Sequence, residues 1–265
     1  MKIFLLGGTK DSTNIIEFIK RNYDAYILTT TTTEYGAKLA REGGSDDTIA
    51  RPLLKDEITE IIIDGKYDIL IDATHPFAEH ITQTSAIIAK ELKIPYIRFE
   101  RPTTNLENID TSRIHYVNSF TDAGKLIEND FPKGNVLHFA GANTMEDVLK
   151  YVSCERFYPR ILKVPSSLEK CKELNINPNH IIPMTGAAST NENIELIEKY
   201  GASVMITKES GEIGGVIEKI DAANKKDIAV IMIQRPEIKE VEKKDMVSNL
   251  DELGHKLKTY FKKID

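Results

Sequence analysis

A chain of 265 residues can form one large domain or two of ordinary size, and either buries a substantial core. Its formal net charge of -6 argues against a general nucleic-acid binder, whose footprint is a basic face; two cysteines without Cys-x-x-Cys spacing, Cys154 and Cys171, give neither a disulfide framework nor a thiolate zinc site. The apolar run Ile3 to Leu6 is too short for a signal peptide and no run approaches the ~20 residues of a membrane span, so a soluble protein of the reducing cytoplasm is expected, with no membrane or nucleic-acid partner.

In chain order, Lys2 to Leu6 reads as a compact apolar strand ending in Gly7-Gly8-Thr9, and Ser12 to Ile19 places apolar residues at 15, 16 and 19 on one helical face. Ala25 to Thr29 is the next strand. The hydroxyl run Thr29 to Thr33 precedes a helix over Tyr35 to Arg41, and Asp47 to Ala50 suits a short third strand. Lys55 to Ile63 is helical by spacing, Tyr67 to Ile71 is a fourth strand and Pro95 to Phe99 a fifth. Between the last two a long helix is predicted over Pro76 to Leu92, because proline suits a first helical turn, where its missing amide hydrogen costs nothing. Five alternations of strand and helix predict a parallel sheet covered on both faces.

Glu100 to Arg113 is polar, carries Pro102 and lacks periodicity, which marks a lobe boundary. Strands resume over Val136 to Ala140, Tyr158 to Lys163, Ile181 to Met184, Ser203 to Thr207 and Ile228 to Ile233. Helices over Thr144 to Tyr151, Ser166 to Leu174, Asn191 to Tyr200 and Gly215 to Ala223 lie between them. The expected organisation is a lobe at 1–102, a similar lobe at 103–236 and a charged helical tail at 237–265. In the tail Val247, Leu250, Leu253, Leu257 and Phe261 form one stripe, read as packing on the body in preference to an oligomer seam. A monomer or small homo-oligomer is expected.

The chemistry-bearing residues cluster where strands end. In open α/β sheets ligands bind at the carboxyl ends of strands, because helix amino ends converge there with free amides and partial positive charge. Asp72, Thr74 and His75 occupy such a place, and Asp72 and His75 are the catalytic candidates, Asp72 orienting His75 or capping the next helix. Gly7-Gly8-Thr9, followed by Ser12, can bring amides close to a phosphate; it lacks the full Gly-x-Gly-x-x-Gly pattern, and a plain tight turn accounts for it equally. An NAD site carries an acid at the end of the second strand. Here Thr29 to Thr32 stand in that place with Glu34 only beyond, which favours NADPH over NADH, although strand and cap roles explain part of the run. Small or hydroxyl residues recur at Gly141 to Asn143, Thr185 to Thr190 and Lys208 to Gly215, consistent with an open crevice. His75 and His80 diverge if both are on one helix, and the other histidines show no ligand spacing, so no metal is expected. No Gly-x-Ser-x-Gly elbow or cysteine nucleophile is present, and covalent catalysis is not indicated.

Several blocks stand in order across residues 3 to 236: Leu6-Gly7-Gly8-Thr9; Asp72-Ala73-Thr74-His75-Pro76-Phe77-Ala78; Ile94-Pro95-Tyr96 with Arg98 and Glu100-Arg101-Pro102; Lys208-Glu209-Ser210-Gly211 with Gly214-Gly215 and Glu218-Lys219; and Ile233-Gln234-Arg235-Pro236. In these blocks the chain resembles the precorrin-6A reductase family of cobalamin biosynthesis, including its cobalt-precorrin-6A branch. The block from Asp72 to Ala78 is the specific part. The chain departs from the family at Lys10-Asp11-Ser12, where members often carry an acid and an alanine, and at Gly186-Ala187, where they often carry Gly-Pro. The resemblance implies an α/β fold of two Rossmann-like lobes, their parallel sheets flanked by helices, with a ligand cleft between them. It implies NAD(P)H-dependent reduction of one double bond of a precorrin-6A or cobalt-precorrin-6A macrocycle to the 6B form, with NADPH the expected cofactor and NADH the alternative. Gly7, Gly8, Thr9, Ser12, Thr30, Thr31 and Thr74 are then the expected cofactor contacts. The acetate and propionate arms of the tetrapyrrole would meet His75, Arg98, Arg101, Lys208, Ser210 and Gly211, unless Arg98 and Arg101 form surface ion pairs of small worth. A non-enzymatic nucleotide-binding regulatory protein is the competing reading, since fold does not fix activity.

Overall fold

The structure, a computed structural model, describes residues 1–261; the side chain of Phe261, one position of the expected tail stripe, lies outside the described part. The chain divides into two compact units, Met1–Pro102 with Pro236–Asp265, and Thr103–Arg235. The first contains β1 (Lys2–Leu6), α1 (Lys10–Asn22), β2 (Tyr26–Thr31), α2 (Glu34–Glu42), β3 (Asp47–Ala50), α3 (Lys55–Gly65), β4 (Ile69–Asp72), α4 (Glu79–Leu92) and β5 (Tyr96–Phe99). The second contains β6 (Ile114–Val117), α5 (Phe120–Asp130), β7 (Asn135–His138), α6 (Met145–Leu149), β8 (Phe157–Ile161), α7 (Pro165–Glu173), β9 (Ile182–Pro183), α8 (Thr190–Tyr200), β10 (Ala202–Lys208), α9 (Val216–Lys225) and β11 (Ala229–Ile233). The chain then returns to the first unit with β12 (Met246–Val247) and α10 (Leu250–Phe261).

Each unit is a six-stranded sheet in which every recorded pairing is parallel. The first runs β12-β5-β4-β1-β2-β3, which is the dinucleotide-fold order 3-2-1-4-5-6 with β12 in the sixth place. The second runs β6-β11-β10-β7-β8-β9, the same order, with its own first strand in the sixth place. Strands of such sheets are buried on both faces and so read as continuous apolar runs. In β1, Ile3 and Leu5 pack with Ile15, Ile16 and Ile19 of α1, while Phe4 and Leu6 pack with Ile58 and Ile62 of α3 and Ile88 of α4. Among the described residues no helix is long and apolar enough to cross a membrane.

Several features depart from the sequence expectations, β12 within the expected helical tail among them. Pro76 does not open α4, which starts at Glu79; the Ala78 amide bonds to the His75 carbonyl at 2.8 Å, and Pro76 takes the second position of that turn, where its fixed φ fits equally well. β6 and α5 occupy a stretch for which neither was expected. The strand Ile114-His115-Tyr116-Val117 sits at a sheet edge and carries no apolar run, whereas α5 does have a signal, since Ser119 accepts from the Asp122 amide as its cap. Finally, the expected helix from Thr144 is reduced to a 3-10 turn at Ala142–Thr144 and the short α6.

The tail closes the first unit. β12 adds to the edge of β5, and Val247, Leu253 and Leu257 are buried with Leu5, Ile15 and Ile19 in one cluster. Leu253→Ala should therefore lower stability by about 2–5 kcal/mol in urea unfolding, the cost of a core cavity, while Leu162→Ala at an exposed position should have little effect.

Candidate functional site

In the first unit the strand order reverses between β1 and β4, so the loops after these two strands border the switch point at which such sheets bind ligands. The β1 loop is set by two glycines. A Cβ on Gly7 would lie 2.9 Å from Thr29 Cγ2, and Gly8 adopts φ of 95°, a conformation that favours glycine. Thr9 caps α1: its hydroxyl accepts from the Ser12 amide at 3.1 Å and donates to the Ala73 carbonyl at 2.8 Å, tying the loop to the end of β4. Ser12 is not a ligand contact. Its side chain is buried, its Oγ accepts from the Gly8 and Thr9 amides at 3.1 Å each, and it donates to the Thr9 carbonyl at 2.7 Å. The turn thus satisfies with its own serine two amides that the sequence left available to a phosphate.

A cavity of about 330 Å³ opens over this turn. Of the expected cofactor residues, Gly7, Gly8, Thr9, Thr30, Thr31 and Thr74 line it. His75 lines it too. Arg51, which the sequence reading missed, completes the polar wall, and among the described residues no carboxylate lines the cavity. The hydroxyl run divides its labour. Thr29 bonds to Ser45 at 2.7 Å, Thr33 caps α2, Thr31 donates to the Thr33 carbonyl at 2.8 Å, and Glu34 pairs with Arg41. His80 also lines this cavity, and His75 lies in the turn before α4 and not on the helix with it. The His75 Nδ1 accepts from the Phe77 amide at 3.2 Å, which places the proton of a neutral ring on Nε2.

Asp72 and Arg98 lie behind the cavity, both fully buried. They are partners in the β4–β5 register and form an ion pair of 2.8 Å. Asp72 Oδ1 accepts from the Thr74 amide at 2.9 Å and the Thr74 hydroxyl at 2.7 Å, and Oδ2 accepts from the Tyr96 hydroxyl at 3.2 Å. Arg98 donates to Thr74 Oγ1 at 3.0 Å and, through Nε and Nη2, to Glu100 at 3.2 Å. Burial opposes the charge on Arg98, but Asp72 and Glu100 outweigh it and raise the guanidinium above its ordinary value; burial, then the Asp72 charge, push the Tyr96 phenol up. An enclosed Asp72 is an anchor for the strand end and not an acid or base for a ligand, and Arg98 is neither a substrate contact nor a surface ion pair. Arg101 is also held inward, by Asp11 at 2.8 Å, with both side chains largely buried.

The second unit reverses its order between β7 and β10, and Lys208 ends β10. Beyond it Ser210 is buried and Gly211 has φ of 76°. Three cations gather here. Lys208 lies 5.5 Å from the Phe120 ring centre and Arg160 4.4 Å from that of Phe139, while Lys219, buried near the start of α9, donates to the Gly214 carbonyl at 2.8 Å. Burial lowers Arg160 to about 10 and Lys208 to about 8. Burial first, then the Arg160 charge, lower Lys219 to about 7. Arg160 and Lys219 were not anticipated; a cation inside the otherwise packed strand Phe157–Ile161 was the available signal for the first. His138, buried beside Thr144 at 2.9 Å, is driven down to about 3 by burial and remains a neutral structural side chain.

Breaking the buried pair of the first unit tests its structural role. Arg98→Ala leaves Asp72 uncompensated in the interior and should cost about 3–5 kcal/mol in urea unfolding. The family description Precorrin-6x reductase CbiJ/CobK matches residues 2–258. The cobalt-precorrin-6A reductase of Methanothermobacter thermautotrophicus is 37% identical over 260 residues, covering 97% of this chain and 84% of that protein. The protein of the same name from Methanococcus maripaludis is 39% identical over 239 residues, 90% of this chain and 92% of that one. A precorrin-6A reductase from Rhodococcus erythropolis is 26% identical over 183 residues, 68% of either chain. Among solved structures, CobK precorrin-6A reductase shares the fold, with a TM-score of 0.75 at 16% identity over 98% of this chain and 97% of that one. By the extent of these matches, the chain belongs to the precorrin-6x reductase family.

Proposed function

We propose that the chain reduces cobalt-precorrin-6A with NADPH, holding the nucleotide in the first unit's cavity and the carboxylate arms of the macrocycle on the cations of the second. That the chain is an oxidoreductase of cobalamin biosynthesis follows from its family. The cobalt form is favoured because the relatives at 37 and 39% identity bear that name. The observation that carries the nucleotide reading is the cavity of about 330 Å³, which joins a glycine turn, three consecutive threonines and an arginine and has no carboxylate among its described lining. A nicotinamide cofactor bound there supplies the hydride. The residues then have distinct tasks. Gly7 and Gly8 let the ligand approach the backbone, and Thr30 offers a hydroxyl. His75, its ring held at Nδ1 by the Phe77 amide, forms part of the cavity wall. Ser12, Asp72 and Arg98 keep the strand ends in place. In the second unit Arg160, Lys208 and Lys219 hold carboxylates by charge-assisted bonds, which are stronger where water is excluded. No side chain is required as a nucleophile, since the substrate is held and oriented while the cofactor provides the reactive group. The cytoplasm suits this reading, in keeping with the free thiols of Cys154 and Cys171.

The direct test is anaerobic oxidation of NADPH followed at its nicotinamide band with cobalt-precorrin-6A and with the metal-free macrocycle. Oxidation dependent on the macrocycle, with a matching change in its spectrum, is expected; cofactor binding without turnover of either macrocycle would remove the reading in favour of a regulatory nucleotide binder. A second measurement addresses the second unit. With Lys219 near 7 and Lys208 near 8, part of each lysine is neutral at pH 8, and a carboxylate beside it restores the ammonium form. Macrocycle binding at that pH should therefore take up protons, seen in calorimetry as heats that vary with buffer ionisation enthalpy, and affinity should fall as pH rises further.

A further inference from the structure

The loop after β10 carries an acid that the proposed reaction leaves unused. Lys208 ends β10 opposite Ile233 of β11, and the next residue, Glu209, donates its amide to the Ile233 carbonyl at 2.9 Å. The Glu209 side chain is only 12% exposed, and both its oxygens are engaged. Oε1 accepts from the amide and the hydroxyl of Thr104 at 2.9 Å each and from the Gly211 amide at 3.2 Å. Oε2 lies 2.5 Å from Arg235 Nε, which also donates to the Glu209 carbonyl at 3.2 Å. The second unit begins at Thr103 and ends at Arg235, so one carboxylate fastens both ends of the unit to its glycine-rich loop.

The loop passes this constraint on to the cations. Gly211 is held at φ of 76°, its carbonyl accepts from the Gly214 amide at 2.9 Å, and the Gly214 carbonyl accepts from Lys219 Nζ at 2.8 Å. The turn has no slack, since a Cβ on Gly214 would lie 1.8 Å from Ser210 Oγ. Glu209 is therefore joined to Lys208 as its chain neighbour and to Lys219 through Gly211 and Gly214. A lysine ammonium rides on a flexible four-carbon stem, so two of them reach fixed points only if the backbone that carries or binds them is itself fixed. Truncating Glu209 takes the shared acceptor from the Gly211 and Thr104 amides and the counter-charge from Arg235, and the loop loses its anchor.

We propose that Glu209 is a positioning residue for the macrocycle, holding the loop from Lys208 to Gly215 so that the Lys208 and Lys219 ammonium groups meet the carboxylate arms. The proposal rests on the second unit being the macrocycle site, and the test separates the two. NADPH oxidation by the intact protein with cobalt-precorrin-6A is compared for the wild type, Glu209→Ala, Glu209→Gln and Lys208→Met, with NADPH affinity and urea unfolding measured on each. Glu209→Ala should raise KM for the macrocycle about 10- to 100-fold, the effect of losing charge-assisted bonds, with kcat within about threefold and NADPH affinity within about twofold of wild type. Glu209→Gln should retain part of the affinity, because its amide oxygen still accepts from Thr104 and Gly211, and it carries the test if Glu209→Ala does not fold. Lys208→Met should raise KM as well. A role in stability alone would lower the unfolding midpoint and leave KM as it is. If Lys208→Met raises KM but folded Glu209 variants keep the wild-type KM, or lose kcat or NADPH affinity instead, the assignment of Glu209 is overturned and the macrocycle site stands. If Lys208→Met leaves KM unchanged, both are overturned.

Discussion

Taking the charges of Asp72 and Arg98 out of water costs on the order of several kcal/mol per ion, and the ligand edge of the first unit is arranged around offsetting that cost. Asp72 lies across from Arg98 in the β4–β5 ladder, Glu100 approaches the guanidinium from its other side, and Tyr96 and Thr74 fill the remaining acceptor positions of the acid. Two consequences follow for the architecture. Thr74 is clamped by backbone and side chain, so the segment leading to His75 starts from a fixed point. The Glu100 amide also bonds to the Val247 carbonyl at 2.9 Å, which ties the same network to the strand contributed by the tail. Pre-organisation of the cavity wall and completion of the sheet thus depend on one buried cluster.

Most strands were legible because a parallel sheet covered on both faces demands apolar residues without interruption, as in Ile3 to Leu6 and Ile69 to Ile71. The edges were not. β6 mixes histidine and tyrosine into its four residues and β12 has only two residues, too few to carry a period. The site divides the same way. The glycine turn and the segment from Thr74 to His75 could be placed because strand ends in this fold class face ligands. Ser12 could not, since a sequence shows which groups can donate or accept but not that the Gly8 and Thr9 amides are already taken. Arg98 gave a hint in its apolar neighbours Ile97 and Phe99, yet only the register reveals Asp72 as its partner. Arg51 reaches the cavity because β3 lies beside β2, a relation of strand order that no spacing along the chain encodes.

The two units reach one strand order by different routes. In the first, five strands follow in sequence and the sixth place is filled from beyond residue 236; in the second, the sixth place is filled by the strand that comes first in the chain. Each keeps its reversal point between a strand and the one three later in its own order, and each carries a glycine-containing loop there. The chemistry differs. The first unit surrounds its reversal point with hydroxyls and peptide groups, whereas the second gathers Arg160, Lys208 and Lys219, whose burial lowers their proton affinity.

The discontinuity of the first unit imposes an order on its assembly during synthesis. Strands β1 to β5 leave the ribosome early, but β12 and α10 are made only after the whole of Thr103–Arg235, a delay on the order of ten seconds at ~5–20 residues per second. The second unit is continuous and can complete its sheet in that interval. Until then β5 is an open edge of the first unit's sheet, which only β12 of the tail covers.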